Sequence, residues 1–230
     1  MTTEHGIAAI PLFANMRDTE RRALEAHVHW HNYEAHQQII DRDSSSRDVF
    51  FVVRGMVRVM YYSRTGREVS LEDIGEGGFF GELAAIDGQP RSAIVMALQK
   101  SVIASLPPEA FIRAVTENPR VALGLMTRLA SMVRHATERI FDLSTLRAQS
   151  RVCNELVRLG AANKKDDNTS VVRPIPIHSD IASRVSTTRE TVARVLSELA
   201  RHKILRRDRA SLAILDYARL KELAEEYEDE

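Results

Sequence analysis

The sequence predicts an α+β protein in which an antiparallel β-roll precedes a long helix and a helix-turn-helix with a β-hairpin behind it. Three observations support this prediction. Short runs rich in valine and aromatic residues are separated by glycine turns between residues 28 and 106. The segment from 120 to 145 lacks proline and repeats its apolar residues at helical spacing. Two short helical patterns, joined by a Ser-Thr-Thr turn, precede a basic hairpin near the C-terminus.

The composition is that of an ordinary globular protein, and it excludes several classes of site. The chain has 230 residues, of which 44% are hydrophobic and 28% charged, and no apolar run is long enough to span a bilayer. Its first residues lack the basic and apolar regions of a secretory signal, so we expect a cytoplasmic protein without a membrane partner. The single cysteine excludes a disulfide framework and a four-cysteine iron–sulfur or zinc site. No nucleophile–base pair or metal-ligand spacing indicates an enzyme or a metal site.

The net charge is zero, but the charges are unevenly distributed. Residues 173–209 contain nine Lys and Arg against four Asp and Glu, which leaves a net charge of +5. Residues 216–230 contain seven acids against two bases, which leaves −5. A local basic segment indicates a polyanionic partner or a solvated charged face.

The predicted elements divide the chain into three parts, with boundaries at 118 and 146. Residues 1–118 contain a short helix, the strand runs and a second short helix from 109 to 117. Residues 119–146 form the long helix. Residues 147–230 contain the helix-turn-helix, its hairpin and a terminal amphipathic helix.

The long helix carries a row of mostly apolar residues at steps of four and three, which is typical of a coiled-coil seam. The residues that this row predicts in the interface of a homodimer are Leu125, Leu129, Met132, Ala136 and Leu143. A second row, which includes Val133 and Ile140, is then expected to face the roll. The alternative is a helix whose first row packs on its own roll.

The stretch FFGELAAIDGQPRSA, residues 79–93, places Glu82 and Arg91 nine residues apart around an apolar turn. A carboxylate accepts a hydrogen bond from a hydroxyl, and a planar guanidinium binds phosphate through parallel hydrogen bonds. The pair therefore indicates either a salt bridge that holds the loop or a grip on a ligand that has both groups.

Residues 179–205 predict a short helix, a tight turn and a longer helix from 189 to 202. Near its N-terminus the longer helix carries Arg189, Glu190 and Arg194 on the side opposite its apolar face. Such a helix can enter the major groove of DNA with its first turns, where arginine binds guanine and glutamate accepts from cytosine. The alternative for Glu190 and Arg194 is an exposed i,i+4 salt bridge.

Two of these segments resemble one known family. Residues 79–93 resemble the phosphate-binding cassette of cyclic-nucleotide-binding domains. The segment TTRETVARVLSELARHKIL resembles the recognition helix of CRP/FNR-type bacterial transcription regulators, in the branch of the cyclic-AMP receptor protein. The order of a roll, a long central helix and a winged helix-turn-helix also agrees. The resemblance implies a homodimeric regulator that is controlled by a cyclic nucleotide, with cyclic AMP favoured, reads TGTGA-like palindromic half-sites and contacts RNA polymerase.

The resemblance also implies a role for individual residues. In the cassette, Glu82 would accept from the ribose 2′-hydroxyl and Arg91 would bind the cyclic phosphate. The full set of implied ligand residues is Gly81, Glu82, Leu83, Arg91, Ser92, Ala136 and Thr137. The residues implied to contact DNA are Thr188, Arg189, Glu190, Thr191 and Arg194, with Arg206, Arg207 and Arg209 of the hairpin on phosphates.

The chain departs from the cyclic-AMP receptor where the base is read. The receptor has adjacent Thr and Ser on its central helix there, whereas this chain has Ala136 and Thr137. Cyclic GMP, or regulation without a nucleotide, therefore stays open, as does a nucleotide-gated regulatory subunit of an enzyme or channel. The single cysteine excludes the iron–sulfur branch, but eight histidines leave a haem branch open. We interpret the histidines of residues 27–36 as strand and loop residues rather than as a metal site.

Overall fold

The computed structural model describes residues 6–42, 44–63, 66 and 68–225. The chain divides into two compact units, of which the first comprises residues 1–63 and 70–133 and the second residues 64–69 and 134–230. This division falls within the long helix, whereas the predicted boundaries at 118 and 146 fall at the ends of that helix. The division into three domains stays a prediction.

The first unit contains the predicted antiparallel roll. Its strands are β1 (His29–Tyr33), β2 (Gln38–Ile40), β3 (Val49–Arg54), β4 (Met56–Tyr62), β5 (Glu68–Gly75), β6 (Phe79–Phe80), β7 (Ile94–Ala97) and β8 (Ser101–Leu106). They form two four-stranded sheets in the orders β1-β8-β3-β6 and β2-β7-β4-β5. The pairings whose register is described are antiparallel, so the predicted fold is confirmed for this part of the chain.

Strand β3 shows why the roll needs continuous apolar runs. Phe50 and Val52 belong to a core between the two sheets, which also receives residues from β2, β4, β5 and β7. Val49 and Phe51 point the other way, into a second core beneath the helices. Successive side chains of a strand lie on opposite faces, so a strand buried on both faces is apolar throughout.

Helices cover the second core. The first four are α1 (Asp18–Glu25), α2 (Glu82–Asp87), α3 (Pro108–Glu117) and α4 (Pro119–Thr145). Asn118 is extended between α3 and α4, because the residue before a proline avoids the helical region. Pro119 then begins α4, where a missing backbone N–H costs nothing.

The two apolar rows of α4 were predicted to face a partner subunit and the roll, and the structure differs from this prediction. Leu125 is only 6% exposed, and Leu129 packs with it against the second core, so this part of the first row covers its own roll. Val133 and Ile140 are 65% and 66% exposed. The expectation that the second row faces the roll is therefore wrong. Burial of Leu125 and Leu129 sets the rotation of the helix about its axis and turns the second row outward.

The second unit has a separate core. Its elements are the C-terminal part of α4, α5 (Ala148–Gly160), β9 (Ser170–Val172), α6 (His178–Arg184), α7 (Arg189–Arg201), β10 (Leu205–Arg207), β11 (Leu212–Ile214) and α8 (Tyr217–Ala224). The small sheet has the order β10-β11-β9 and is antiparallel. The predicted helix-turn-helix and hairpin are confirmed, while residues 226–230 of the predicted terminal helix lie outside the described residues. None of the helices described here has both the length and the apolar character that a membrane span requires.

Candidate functional site

A sharp turn after β6 places Arg91 against the start of α2. Gly81 adopts a φ of 83° between Phe80 and Glu82, a conformation that side chains disfavour. A Cβ at this position would lie 2.8 Å from Nη1 of Arg91 and 3.0 Å from the carbonyl oxygen of Asp48. Glycine is therefore required both for the backbone conformation and for the close approach of the guanidinium.

Glu82 is the first residue of α2, and it is 3% exposed. Burial raises the pKa of its carboxyl, because it penalises the charged form. A hydrogen bond from its own backbone amide and the charges of Arg128 and Arg91 act in the opposite direction, while Glu72 adds to the increase. The carboxyl is thus held away from water, where a ligand hydroxyl would be a favourable donor.

Arg91 is equally buried, at 4% exposed. Its Nη1 donates to the carbonyl of Gly81 at 2.9 Å, and its Nη2 donates to the carbonyl of Asp48 at 2.9 Å and to Oγ of Ser46 at 3.2 Å. The guanidinium also lies 5.7 Å from the ring centroid of Phe50. Burial lowers the pKa of Arg91, and the charges of Asp48 and Glu82 oppose this.

The hydrogen bonds of Arg91 all go to uncharged oxygen atoms. Among the described residues it makes no ion pair with a carboxylate, and its Nε is buried without a hydrogen-bond partner. Glu82 is near enough to affect its pKa but does not form a salt bridge with it, so the loop salt bridge is not what the structure shows. The buried guanidinium therefore keeps one N–H, at Nε, that a further acceptor could satisfy.

The other predicted ligand residues lie in different surroundings. Leu83 is half-buried in α2, and Ser92 is exposed beside Arg91. Ala136 and Thr137 are exposed on the part of α4 that belongs to the second unit, whereas Glu82 and Arg91 belong to the first. Their roles in ligand binding stay predictions.

A second pair of charges near Glu82 was not predicted from the sequence. Arg128 of α4 binds Glu72 of β5 through two hydrogen bonds, of 2.7 and 2.6 Å. Both side chains keep some exposure, 21% for Arg128 and 35% for Glu72. The only signal in the sequence is an arginine next to the buried row of α4, and it does not reveal which strand supplies the partner.

Helix α7 presents its predicted charged side to solvent. Arg189, Glu190 and Arg194 are exposed, while the opposite side of the helix is buried in the core of the second unit. Glu190 and Arg194 form no ion pair within the described residues, so the alternative of an i,i+4 salt bridge is not observed. Three charged groups are therefore available near the N-terminus of this helix.

Thr188 caps α7, and the cap uses part of the hydrogen-bonding capacity of its hydroxyl. Its Oγ1 accepts from the backbone N–H of Thr191 at 3.2 Å and lies 3.1 Å from the hydroxyl of Thr191. The capping hydrogen bond satisfies one of the first amide groups of the helix. Beyond α7, Arg206, Arg207 and Arg209 are exposed on the hairpin, and Arg206 pairs with Asp208 at 3.0 Å. The predicted DNA contacts of these residues stay predictions.

The histidines of residues 27–36 lie in β1 and in turns. His31 of β1 lies 3.0 Å from Oγ of Ser105, and only His29 and His31 belong to the strand. No group of three or more His, Cys, Asp or Glu within the described part of the chain is arranged to hold a metal ion.

Comparison with known proteins agrees with this arrangement. The protein-family model of the cyclic nucleotide-binding domain matches residues 30–118. The protein-family model of the Crp-like helix-turn-helix domain matches residues 150–223. The transcriptional regulator SdrP of Thermus thermophilus is 30% identical over 174 residues, 76% of this chain and 82% of that protein. The cAMP-activated global transcriptional regulator CRP of Salmonella typhimurium is 26% identical over 175 residues, 76% of this chain and 83% of that protein.

A solved structure shows the same fold over nearly the whole chain. A variant of CooA from Carboxydothermus hydrogenoformans has a TM-score of 0.79 at 20% identity, with 97% of this chain and 98% of that chain covered. The roll, the helix-turn-helix, the two family models and the relatives all agree. The chain belongs to the CRP/FNR family, whose members are DNA-binding transcription regulators with a cyclic nucleotide-binding domain and not enzymes.

Proposed function

We propose that this protein is a homodimeric, cytoplasmic transcription regulator whose DNA binding is controlled by a cyclic nucleotide. The observation that carries the proposal is the buried Arg91, whose Nε has no partner among the described residues. A cyclic phosphate bears one negative charge and two exposed oxygens, which suits a guanidinium withdrawn from water. Glu82, next to it, supplies the acceptor for the ribose hydroxyl. Gly81, Leu83 and Ser92 complete the proposed cradle.

Two nucleotides are candidates for the effector. Cyclic AMP is favoured by the curated relatives, since the matching CRP proteins are described as cAMP-activated. Ala136 and Thr137 would then meet the adenine in the dimer. Cyclic GMP is favoured by the charges of Glu72 and Arg128 beside the site.

The dimer is proposed to form along the exposed row of α4. Leu123, Met126, Val133 and Ile140 are between 57% and 66% exposed. With Ala130 and Thr137 they follow steps of three, four, three, four and three, the spacing of a coiled-coil seam. Met132, Ala136 and Leu143 of the predicted interface flank this row, whereas Leu125 and Leu129 serve the monomer core.

Two-fold symmetry then defines the DNA site. A dimer places its two α7 helices in successive major grooves, so the half-sites lie about one helical turn apart, at ~34–36 Å. Arg189, Glu190 and Arg194 are proposed to read a TGTGA-like half-site, while Thr188, Thr191 and the hairpin arginines contact phosphates. RNA polymerase is the expected protein partner of the complex.

Titrations with cyclic nucleotides and with DNA test the proposal. Calorimetry with cyclic AMP and cyclic GMP measures effector binding, and fluorescence anisotropy with a TGTGA palindrome, with and without each nucleotide, measures the response. Binding of one nucleotide together with tighter DNA binding supports the proposal. DNA binding that ignores both nucleotides would identify a regulator with another signal, or none.

The substitution Glu82→Gln is expected to weaken nucleotide binding about tenfold, because a neutral acceptor replaces a charged one at the ribose. It is also expected to stabilise the ligand-free protein at neutral pH. The folded pKa of Glu82 is raised, so the unfolded chain loses this proton first and the free energy of unfolding falls as pH rises above the ordinary Glu value. Urea unfolding at about pH 4 and about pH 8 checks the difference. A variant with the pH dependence of the wild type would contradict this account.

The substitution Arg189→Ala is expected to cost about 1–3 kcal/mol per half-site in binding to the cognate palindrome, because each half-site loses one arginine–guanine contact. Specificity should relax at that base pair only. Anisotropy titrations with each single-base variant of the half-site measure this. Arg201→Ala, an exposed arginine in the last turn of α7, is the matched control and should leave the base preference intact. An unchanged base preference in Arg189→Ala would remove this residue from the readout.

A further inference from the structure

The ion pair between Glu72 and Arg128 keeps hydrogen-bonding groups that no role proposed so far uses. Glu72 and Arg128 share two hydrogen bonds, yet neither is fully buried. The carboxylate keeps further lone pairs, and the guanidinium keeps further N–H groups, because a fork–fork contact uses only two of five donors. Both side chains can therefore bind a ligand while they stay in contact.

Strand β5 and helix α4 bring the pair into the neighbourhood of Glu82. Glu72 is two residues before Ile74 on β5, and Phe80 precedes the Gly81 turn that leads to Glu82. Ile74 and Phe80 belong to the same core, and side chains two apart on a strand share a face. Strand β5 thus directs Glu72 toward the interior that α2 borders.

Helix α4 brings Arg128 to the same place. Arg128 reaches Glu72 directly, through hydrogen bonds of 2.7 and 2.6 Å. Leu125 and Leu129 of the same helix pack in the second core together with Ala85 of α2. Ala85 is three residues after Glu82, on the same side of that helix. The charges of Arg128 and Glu72 also act on the pKa of Glu82, which agrees with this placement.

We propose that Glu72 and Arg128 read the base of the effector and select guanine. The inference rests on the proposed function, since it needs a cyclic nucleotide held by Arg91 and Glu82. The edge of guanine presents two acceptors, N7 and O6, followed by two donors, N1–H and N2–H. Nη1 and Nη2 of Arg128 are bound to the two oxygens of Glu72, so the pair offers one outer N–H beside one carboxylate oxygen. These match O6 and the adjacent N1–H and N2–H, which one oxygen can accept together.

Adenine does not match this pair. Its edge presents N7 as an acceptor, the N6 amine as a donor and N1 as an acceptor, so donors and acceptors alternate. The carboxylate oxygen that accepts from guanine N1–H would face the lone pair of adenine N1. The outer N–H of the guanidinium would face the adenine amine instead of a carbonyl oxygen, and polar groups left unpaired in this way disfavour the wrong base.

The test compares cyclic GMP, cyclic AMP and cyclic IMP in calorimetric titrations of the full-length protein and its variants. The wild type is expected to bind cyclic GMP about tenfold or more tightly than cyclic AMP, as expected for one bidentate base contact. Cyclic IMP, which lacks the N2 amine, should fall between them. Glu72→Gln and Arg128→Gln should each lower the affinity for cyclic GMP about tenfold and leave that for cyclic AMP within about threefold.

The ratio of the two affinities separates this role from a structural one. If the ion pair merely holds α4 to β5, breaking it would lower the affinities for both nucleotides by the same factor. Asp73→Asn is the matched control, because Asp73 follows Glu72 on β5 and also pairs with an arginine, Arg58 at 2.7 Å. The Asp73→Asn variant should leave the ratio of the affinities for cyclic GMP and cyclic AMP unchanged.

The titrations distinguish failure of the base-reading role from failure of the proposed function. A wild type that prefers cyclic AMP or binds both equally, or variants that weaken both equally, overturns the base-reading role and leaves the proposed function intact. Failure to bind any of the three nucleotides overturns the proposed function itself, and the base-reading role with it.

Discussion

Replacing Arg91 by alanine is expected to reduce cyclic-nucleotide affinity by about 2–5 kcal/mol, a loss of at least ~30-fold. The reason is that the phosphate would enter a buried pocket and find no counter-charge, since Arg91 is the buried cation at that point. Titration calorimetry with cyclic AMP and cyclic GMP measures the loss. It should be equal for both nucleotides, because the phosphate is common to them.

The alanine variant also leaves the carbonyls of Gly81 and Asp48 without their donor, so its stability must be measured alongside. Arg91→Gln is the second variant, since an amide can still donate to one carbonyl but carries no charge. Arg54→Ala, at an exposed arginine of β3, is the control for a simple loss of positive charge. A folded Arg91→Gln protein that binds as tightly as the wild type would exclude Arg91 as the phosphate ligand.

Replacing Ile140 by glutamate is expected to raise the dimer dissociation constant at least ~100-fold, because two like charges would meet across the two-fold axis. Glutamate is a good helix former, so α4 itself should persist. Affinity for the palindromic site should fall strongly, since two monomers would then bind their half-sites independently. Sedimentation velocity and DNA anisotropy measure the two effects.

Two further substitutions locate the seam on α4. His135→Glu places the same charge on an exposed position across the helix from Val133 and should leave the dimer intact. Leu143→Glu tests the row that the sequence pattern first indicates. If Leu143→Glu separates the subunits and Ile140→Glu does not, the interface follows that first row and the assignment to the exposed row is wrong.

The two rows of α4 show how far a periodic pattern can be interpreted. Both rows repeat at steps of three and four, so the spacing predicts a helix and two apolar stripes but does not rank them. The ranking depends on which residues the roll covers, and Leu125 and Leu129 are covered by a core that includes Phe51 and Phe111. These contacts are long-range, and no local signal in the helix encodes them.

The same distinction applies to the site. Glu82 and Arg91 could be predicted as neighbours, because one short motif carries both residues and one turn buries both of them. Glu72 and Arg128 could not be paired, because 56 residues separate them and only the packing of α4 on the roll brings them together. The missing ion pair between Glu82 and Arg91 is likewise a tertiary result, since carbonyl oxygens, not the carboxylate, hold the guanidinium.

Local patterns alone were sufficient to predict the roll, the long helix and the helix-turn-helix. Alternation along a strand, spacing along a helix and turn chemistry are properties of neighbouring residues, and they act within a few positions of the chain. Tertiary packing alone decided which face of α4 is exposed, how Arg91 is held and which charges flank Glu82. Those features depend on contacts between segments far apart in sequence, where burial determines which polar groups stay unpaired and therefore available to a ligand.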